Sequence, residues 1–417
     1  MMHTIFVQIA SYRDPELVPT IQSCIDNATN PQCLRFCVVN QGHDQDEFYS
    51  HLDKFRSDHR FRVIDILHTQ SQGVCWARAL CQSHYNNEDY TMQIDSHMRF
   101  AQGWDDYFIQ CLAQSGTSRP LLSAYVASYE VTQSSTQFEP HPGYQMVPSR
   151  ITEDGSVHCV GHGFPHMPDH EPNRPVPARF VSGHFYFTLG QHCVECVYDP
   201  DFYFDGEETH LTVNSYTRGY DLFHPYQNYV WHNYRTYPRT LHWDDHDNTT
   251  KSSQGLTWWQ RDIRSKARLR KYLGIEQNNE DLGFYTMGTV RTLAQYEAWA
   301  GVCFRKQVLH YNTLQGLLPP SVTDLSESWH RNFHQCWHDF GPWLEQARTE
   351  NPMSYYVAVD DEFGRSIYHQ WFQPHDLESW GTGGKIFSFH SDQQPRTLVL
   401  WGLLEAGKWG TKFTKNL

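Results

Sequence analysis

The first 130 residues of this 417-residue chain alternate between short apolar runs and segments with helical spacing. The runs are rich in β-branched and aromatic residues and predict strands over 5–10, 34–40, 61–67, 90–94 and 121–127. The intervening segments predict helices over 15–27, 46–56, 73–85 and 104–113; Asp14 and Pro15 form the start signal of the first. This alternation predicts an α/β fold with a mainly parallel sheet, whose ligands bind at the carboxyl ends of the strands.

The remainder of the chain divides into three stretches. Residues 130–180 are rich in Pro, Gly, Ser and His and predict a long loop over the sheet face. Strands are then expected over 179–189 and 229–234, and helices over 207–219 and 261–272. After a boundary at Leu317–Pro320, a helix over 329–348 and strands over 355–359, 367–371, 385–390 and 397–403 predict a β-rich module. The expected domains are 1–315 and 320–417.

Composition excludes some classes of protein. A formal net charge of −14 argues against non-specific nucleic-acid binding, which requires a basic face. No run of about 18 apolar residues predicts a membrane span. The odd count of 11 cysteines and the lack of a signal-peptide pattern indicate a cytoplasmic protein. Cys193 and Cys196 form one CxxC, but a structural zinc site needs further ligands.

The strongest local signal is Asp95-Ser96-His97, directly after a predicted buried strand. Side chains two residues apart on an extended chain point the same way, so Asp95 and His97 can offer an oxygen and a nitrogen to one divalent cation. Such a cation neutralises a leaving diphosphate, as a transfer from a nucleotide sugar requires. The alternative is that Asp95 caps a helix.

Two other strand ends support a nucleotide site. Gly73 follows the third strand and opens a helix, which lets backbone approach an anion, and Arg78 lies one turn further on. Ser11 and Arg13 follow the first strand, where a nucleoside binds in this architecture. The alternative for Gly73 and Arg78 is an ordinary helix start with a surface arginine.

Four histidines lie at steps of four residues: His158, His162, His166 and His170. On a helix this spacing would align them for a metal, but the glycines and prolines between them disfavour a helix. We expect a loop with exposed histidines. The alternative is a histidine-rich metallohydrolase that binds its metal there.

Three segments in this order resemble a family of GlcNAc-transferases: IASYRDPELVPTIQSCIDNATNP, GVCWARAL and YTMQIDSHMRFAQGWDD. The resemblance continues through FDGEETHLTVNSYTRGYDLFHPYQNYVWHNY to LGFYTMGTVRTLAQYEAWAGVCF and covers roughly 3–305. The best-known members are cytoplasmic enzymes that modify a hydroxyproline of a ubiquitin-ligase adaptor. The resemblance implies a GT-A-like Rossmann-type nucleotide-sugar domain, a divalent metal (usually Mn²⁺) and retention at the anomeric carbon.

The same layout is more distantly similar to the polypeptide GalNAc-transferases, which use Asp-x-His and a later His as metal ligands. Carried over, the metal ligands are Asp95, His97 and His232. The alternative for His232 is a core histidine flanked by aromatic residues.

The sugar-binding motifs of that second family fall on Gly206-Glu207 and on Ser182-Gly183-His184. The family has glycine at the third position of the latter motif, so His184 leaves the identity of the sugar open. Glu207 is expected to contact the sugar and Asp205 the acceptor, while Glu208 is expected to cap a helix.

The sequence thus predicts a metal-dependent retaining glycosyltransferase that moves GlcNAc or a related hexose from a UDP-sugar to a hydroxyl of a protein or glycan acceptor. The expected donor-binding residues are Ser11, Arg13, Gly73, Arg78, Asp95, Ser182, Gly183 and His184. No general base is assigned, because the leaving phosphate oxygen can take the acceptor's proton. The alternative is a carbohydrate-binding or interaction protein on a degenerate transferase scaffold.

Overall fold

The computed structural model describes residues 3–43, 46, 49–132, 135–140, 143–164, 173–234, 239–247, 256–322, 333–382, 384–391 and 393–417. The chain divides into two compact units. The first comprises Met1–Arg305 and Asn312–Leu325, and the second comprises Lys306–Tyr311 and Ser326–Leu417. The roles predicted for 1–315 and 320–417 stay predictions.

The strands are β1 Ile5–Tyr12, β2 Leu34–Gly42, β3 Phe61–Leu67, β4 Tyr90–Asp95, β5 Met98–Phe100, β6 Pro120–Ser123, β7 Ala127–Val131, β8 Thr136–Phe138, β9 Tyr144–Ile151, β10 Val157–Gly163, β11 Val176–Pro177, β12 Phe185–Leu189, β13 Asp221–His224, β14 Val230–His232, β15 Val302–Cys303, β16 Val308–Leu309, β17 Phe333–His338, β18 Ser354–Asp360, β19 Ser366–Phe372, β20 Lys385–His390, β21 Thr397–Leu403 and β22 Trp409–Asn416.

The α-helices are α1 Leu17–Asp26, α2 Asp53–Arg56, α3 Val74–Gln82, α4 Trp104–Gln114, α5 His192–Glu195, α6 Glu207–Thr217, α7 His242–Asp245, α8 Trp258–Tyr272, α9 Leu293–Ala300, α10 Tyr311–Leu314 and α11 Gly341–Ala347.

The main sheet of the first unit has the strand order β11-β13-β6-β12-β4-β1-β2-β3. Strands β3, β2, β1 and β4 run parallel, and β12 runs antiparallel to its neighbours. The chain passes from β3 at the edge to β4 on the other side of β1. The carboxyl ends of β1 and β4 therefore flank a topological switch point, where ligands of such sheets bind. The predicted α/β fold is confirmed.

Apolar spacing explains how the helices cover this sheet. In α1 the buried positions Leu17, Ile21 and Cys24 recur at helical spacing and join the core under the sheet. Trp104, at the start of α4, is completely buried, and its Nε1 donates to the Cys24 carbonyl at 2.8 Å. This bond satisfies the polar atom of a large core side chain.

A second sheet, β5-β14-β7-β8, determines where a distant segment lies. Strand β14 pairs antiparallel with β5, which places His232 opposite Met98. The Asn233 N–H donates to the His97 carbonyl at 3.1 Å. Backbone pairing therefore brings His232 next to the Asp95–His97 turn.

The predicted loop over 130–180 is wrong. This stretch contains β7 and β8, which pair with each other, and the antiparallel pair β9 and β10. Gly and Pro residues are typical of loops, and they concealed these strands. Pro148 is tolerated in β9 because the register with β10 shifts between His158 and Cys159. His158 and His162 lie on β10, whereas His166 and His170 lie outside the described residues.

Two predicted helices are also corrected. Within 46–56 the structure describes a 3₁₀ turn, Tyr49–Leu52, followed by the single turn of α2. Within 329–348, β17 precedes α11, which starts with Gly341 and a proline in its first turn, and 329–332 lie outside the described residues. Pairing of β17 with β20 overrides helical propensity there. Strand β22, largely exposed, was not predicted.

The core of the first unit should be sensitive to loss of Trp104. Trp104→Ala removes a fully buried ring and should lower the free energy of unfolding by about 3–5 kcal/mol. Trp259→Ala, where the ring is 39% exposed, is the matched control and should lower it by clearly less, because less apolar surface is lost from the core. Urea-induced unfolding measures both, and equal losses would contradict this packing.

Candidate functional site

Asp95, His97 and His232 form a cluster at the switch point of the main sheet. The Asp95 Oδ2 lies 3.4 Å from His232 Nε2 and 3.8 Å from His97 Nε2. The candidate ligand atoms of the three side chains all lie within 4.8 Å of one another. Among the described residues, no other group of three or more His, Cys, Asp or Glu side chains has this geometry.

The orientation of His97 is determined by a buried carboxylate. Asp14 Oδ2 lies 2.8 Å from His97 Nδ1 and also accepts from Ser96 Oγ at 2.6 Å and from Arg239 at 2.9 Å. Burial would raise the pKa of Asp14, but His97 and Arg239 outweigh it and lower the pKa. An ionised Asp14 can therefore accept from Nδ1 of His97, which leaves Nε2, on the Asp95 side of the ring, available to a cation.

These side chains fit a divalent cation. Two ligands that each lie about 2.1 Å from a metal are about 3.0–3.4 Å apart. Asp95 Oδ2 and His232 Nε2, at 3.4 Å, have this spacing, whereas His97 Nε2, at 3.8 Å from Asp95 Oδ2, would move slightly closer on binding an ion. Burial lowers the pKa of His232 to about 4, so its ring is neutral and can coordinate. One carboxylate and two imidazoles suit manganese or another first-row ion.

Arg78 is buried between two carboxylates. Its guanidinium donates to Asp95 Oδ1 at 2.5 Å and forms a short ion pair with Glu207 Oε1. Burial would raise the pKa of Asp95, yet the Arg78 charge and the two neighbouring histidines hold it well below its usual value. Arg78 therefore keeps Asp95 ionised and fixes its orientation.

Two cavities of about 380 Å³ each adjoin at this cluster. Asp95, Arg78 and His232 line both of them. The first cavity lies over the ends of β1 and β2, and its lining includes Tyr12, Gln41, Gly73, Val74, Tyr203 and His242. The second lies toward the start of α6, and its lining includes Tyr125, Gly183, His184, Asp205, Glu207 and Glu208.

The second cavity is built around the first turn of α6. Gly206, with φ of 87°, precedes the helix and places both glutamates beside the cavity. Glu207 Oε1 accepts from Tyr198 at 2.6 Å in addition to Arg78. Glu208 accepts from the Gly183 N–H at 2.8 Å and from the Tyr125 hydroxyl at 2.6 Å.

Most of the residues predicted to bind the donor lie at the cavities. Gly73, Arg78, Asp95, Gly183 and His184 are lining residues. Ser182 lies behind His184, because its Oγ is 2.8 Å from His184 Nδ1. Glu207 and Asp205 line the second cavity.

Ser11 and Arg13 belong to the wall behind their neighbour Tyr12. Ser11 is fully buried, and its carbonyl accepts from the Gln41 side chain at 3.0 Å. Arg13 pairs with Asp46 at 2.8 Å and with Asp245 at 3.0 Å. Their predicted contacts with the donor stay predictions.

Sequence reasoning missed the supporting roles of Asp14, Tyr12, Tyr125 and Tyr198. Asp14 was interpreted as a helix start, and its Oδ1 does accept from the Glu16 N–H at 2.9 Å near α1. Its other oxygen binds His97, which is distant in sequence. The tyrosines carried no local signal, because aromatic residues are frequent throughout this chain.

A family model described as Glycosyltransferase (GlcNAc) matches residues 4–59 and 43–306. The chain therefore belongs to this glycosyltransferase family. A comparison with curated proteins finds no match.

Solved structures of similar fold include GalNAc-T7 with UDP, GalNAc and Mn²⁺, with 14% identity and a TM-score of 0.50 over 65% of this chain. The chain spans about half of that structure, 49%. S. aureus TarS 1-349 in complex with UDP-GlcNAc is 12% identical, with a TM-score of 0.37, over 57% of this chain and 60% of TarS. The likeness to GalNAc-T7 supports the GT-A-like fold.

The protonation of Glu208 should make stability depend on pH. Burial raises its pKa from the usual 4.5 to about 7. The folded state therefore binds a proton that the unfolded state releases, and stability is lost as pH rises from about 4.5 to about 7. At about 1.4 kcal/mol for each pKa unit, the loss is at most about 3 kcal/mol.

Thermal unfolding of wild type and Glu208→Gln between pH 4.5 and 8 measures this effect. The variant keeps an acceptor for Gly183 but does not titrate. The difference between its unfolding temperature and that of the wild type should therefore shift in favour of the variant as pH rises. The exposed Glu153→Gln is the control and should follow the wild type. A constant difference between Glu208→Gln and wild type across this range would contradict the assignment.

Proposed function

We propose that this chain is a metal-dependent glycosyltransferase that moves GlcNAc or a related hexose from a UDP-sugar to an acceptor hydroxyl. The observation that carries the proposal is the Asp95–His97–His232 cluster, of which Asp95 and His232 line both cavities and His97 lines the first. A nucleotide sugar has two parts joined by a diphosphate. The arrangement suits a nucleoside in one cavity, a sugar in the other and the diphosphate beside the cluster.

The first cavity suits the uridine and the phosphates. Tyr12 and Gln41 lie at the carboxyl ends of β1 and β2, beside the switch point. Gly73, with φ of 112°, precedes α3, and a Cβ there would lie 2.7 Å from the Tyr203 ring. Packing of Tyr203 therefore requires glycine here, and the first N–H groups of α3 would be the part of this helix start that binds a phosphate.

Asp95, His97 and His232 would hold the cation, with Asp14 fixing the orientation of His97. A bound Mn²⁺ supplies positive charge that stabilises the leaving diphosphate. Arg78 already forms ion pairs with the carboxylates of Asp95 and Glu207, so its first role is to position these two side chains. Its predicted contact with a phosphate is part of this proposal.

The second cavity suits the hexose and the incoming hydroxyl. Glu207 and the Gly183–His184 segment line it and would hold the sugar, with Asp205 and exposed Phe204 at the acceptor side. In the transfer, the bond between the anomeric carbon and the diphosphate breaks while a bond to the acceptor oxygen forms. The resemblance to retaining enzymes supports retention, with the acceptor's proton passing to the leaving phosphate oxygen.

The acceptor is proposed to be a hydroxyl of a protein or a glycan.

All eleven cysteines are unpaired, which supports a reducing compartment such as the cytoplasm. Among the described residues, no helix is long and apolar enough to cross a bilayer.

Loss of Asp95 should abolish turnover. UDP release from UDP-GlcNAc, UDP-GalNAc, UDP-glucose and UDP-galactose is measured with and without Mn²⁺ for wild type and Asp95→Ala. One donor should be turned over in a metal-dependent manner, and the variant should lose at least about a hundredfold in rate. Asp106→Ala, an exposed carboxylate on α4, is the control and should keep wild-type activity.

Failure of every donor with a folded wild-type chain would reject the transferase. Binding of a UDP-sugar without any release of UDP would instead support the degenerate, carbohydrate-binding alternative. Metal-independent turnover that survives Asp95→Ala would reject the assigned cation site.

Removal of the Asp14 charge should weaken metal binding without removing a ligand. Asp14→Asn should reduce Mn²⁺ affinity about 10- to 100-fold, because His97 loses the partner that orients it. Calorimetric titration with Mn²⁺ measures this change, and Asp106→Asn serves as the matched control. Unchanged affinity in a folded Asp14→Asn chain would show that His97 is not held in this way.

A further inference from the structure

The second unit contains a sheet with two unlike faces, in the strand order β19-β18-β21-β22. One face carries Tyr355, Val357 and Leu400, which belong to the buried core that includes Leu344 of α11 and Phe387 of β20. Side chains alternate along each strand, so Tyr356 points away from this core.

Strand register places aromatic side chains opposite one another on the face away from this core. Tyr356 of β18 pairs with Trp371 of β19 and with Trp401 of β21. The rings of Tyr356 and Trp371 have centroids 5.2 Å apart. Trp409 of β22 contacts all three, at 4.4 Å from Trp401, 5.6 Å from Trp371 and 6.1 Å from Tyr356. These four side chains are called the aromatic platform.

The aromatic platform is exposed, and two of its four rings are held by hydrogen bonds. Trp371 is 46% exposed and Trp409 41%, values that are high for tryptophan. Trp401 Nε1 donates to the Gly410 carbonyl at 2.9 Å, and the Tyr356 hydroxyl donates to Ser366 Oγ at 3.2 Å. The rings of Trp401 and Tyr356 would therefore lose little side-chain entropy when a ligand binds.

The area and charge of the platform select among ligand classes. An aromatic side chain buries about 150–250 Å², so these partly covered rings present on the order of 400 Å². A stable dimer needs about 800 Å² from each partner. Lys412 lies 5.1 Å over the Trp401 ring and is, among the described residues, the one charged side chain recorded over a ring of the platform, so the platform lacks the basic cluster that nucleic acid requires. These features favour a small, neutral ligand over a second copy or a nucleic acid.

We propose that the aromatic platform is a binding site for a neutral carbohydrate chain. Hexoses present an apolar C–H face that stacks on a ring and a rim of hydroxyls that hydrogen-bond to polar neighbours. His369 lies 5.5 Å from Tyr356, centroid to centroid, and Lys412 lies beside Trp401, which provides such neighbours at the edges. The site lies outside the segment matched by the family model and does not depend on the proposed transferase activity.

The test uses the full chain and neutral tetrasaccharides of β-linked glucose, β-linked N-acetylglucosamine, α-linked glucose and β-linked mannose. Saturation-transfer NMR identifies a binder, and calorimetry measures its affinity for wild type, Trp371→Ala and Trp371→Ala/Trp409→Ala. At least one sugar should bind saturably, and the double variant should bind at least about tenfold more weakly.

Trp337→Ala is the matched control, because Trp337 is a 58% exposed tryptophan of the same unit outside the aromatic platform. It should bind as the wild type does. The single variant Trp371→Ala, on strand β19, guards against a double variant that fails to fold. Asp95→Ala should bind normally, so a failed transferase would not remove this site.

Three results would overturn the proposal. The first is that no tetrasaccharide binds the wild type, and the second is that binding survives in a folded double variant. The third is that Trp337→Ala weakens binding as much as the double variant does. A wild-type dimer that the double variant dissociates, without any sugar binding, would assign the platform to a second copy of the chain.

Discussion

The architecture of the site depends on buried charge at the switch point of the main sheet. Asp95 is held by Arg78 on one side and by two imidazoles on the other, while Asp14 holds one of these imidazoles from behind. An unpaired charge in this environment would cost several kcal/mol, so each member requires the others. The same network directs an oxygen and two nitrogens into one small volume, which is the arrangement that a divalent cation needs.

Topology supplies the rest of the arrangement. The switch between β1 and β4 opens a crevice at the carboxyl ends of the strands, and pairing of β14 with β5 closes one side of it with His232. Gly206 lets α6 begin at the second cavity, and the two cavities meet at Asp95 and His232. We propose that this division places bond cleavage between the two cavities, at the diphosphate.

Local patterns predicted much of the first unit, because parallel strands and amphipathic helices leave clear periodicities. Spacing after a strand predicts Asp95 and His97 as candidate ligands, whereas His232 is predicted only through the resemblance, since β14 reaches the other two by tertiary pairing. The strands within 130–180 were missed because glycine and proline mask alternation, and Glu208 was interpreted as a helix cap although it accepts from Gly183 and Tyr125. Such contacts form between segments that no local window contains.

The most direct measurement of the central claim is pulsed electron paramagnetic resonance of Mn²⁺ bound to the full chain together with UDP. The account predicts ¹⁴N couplings from two imidazoles, those of His97 and His232, and ³¹P couplings from the diphosphate on the same ion. Phosphorus couplings without nitrogen couplings would mean that the metal arrives with the nucleotide and is not held by this cluster. That result would contradict the assignment of Asp95, His97 and His232 as the cation site.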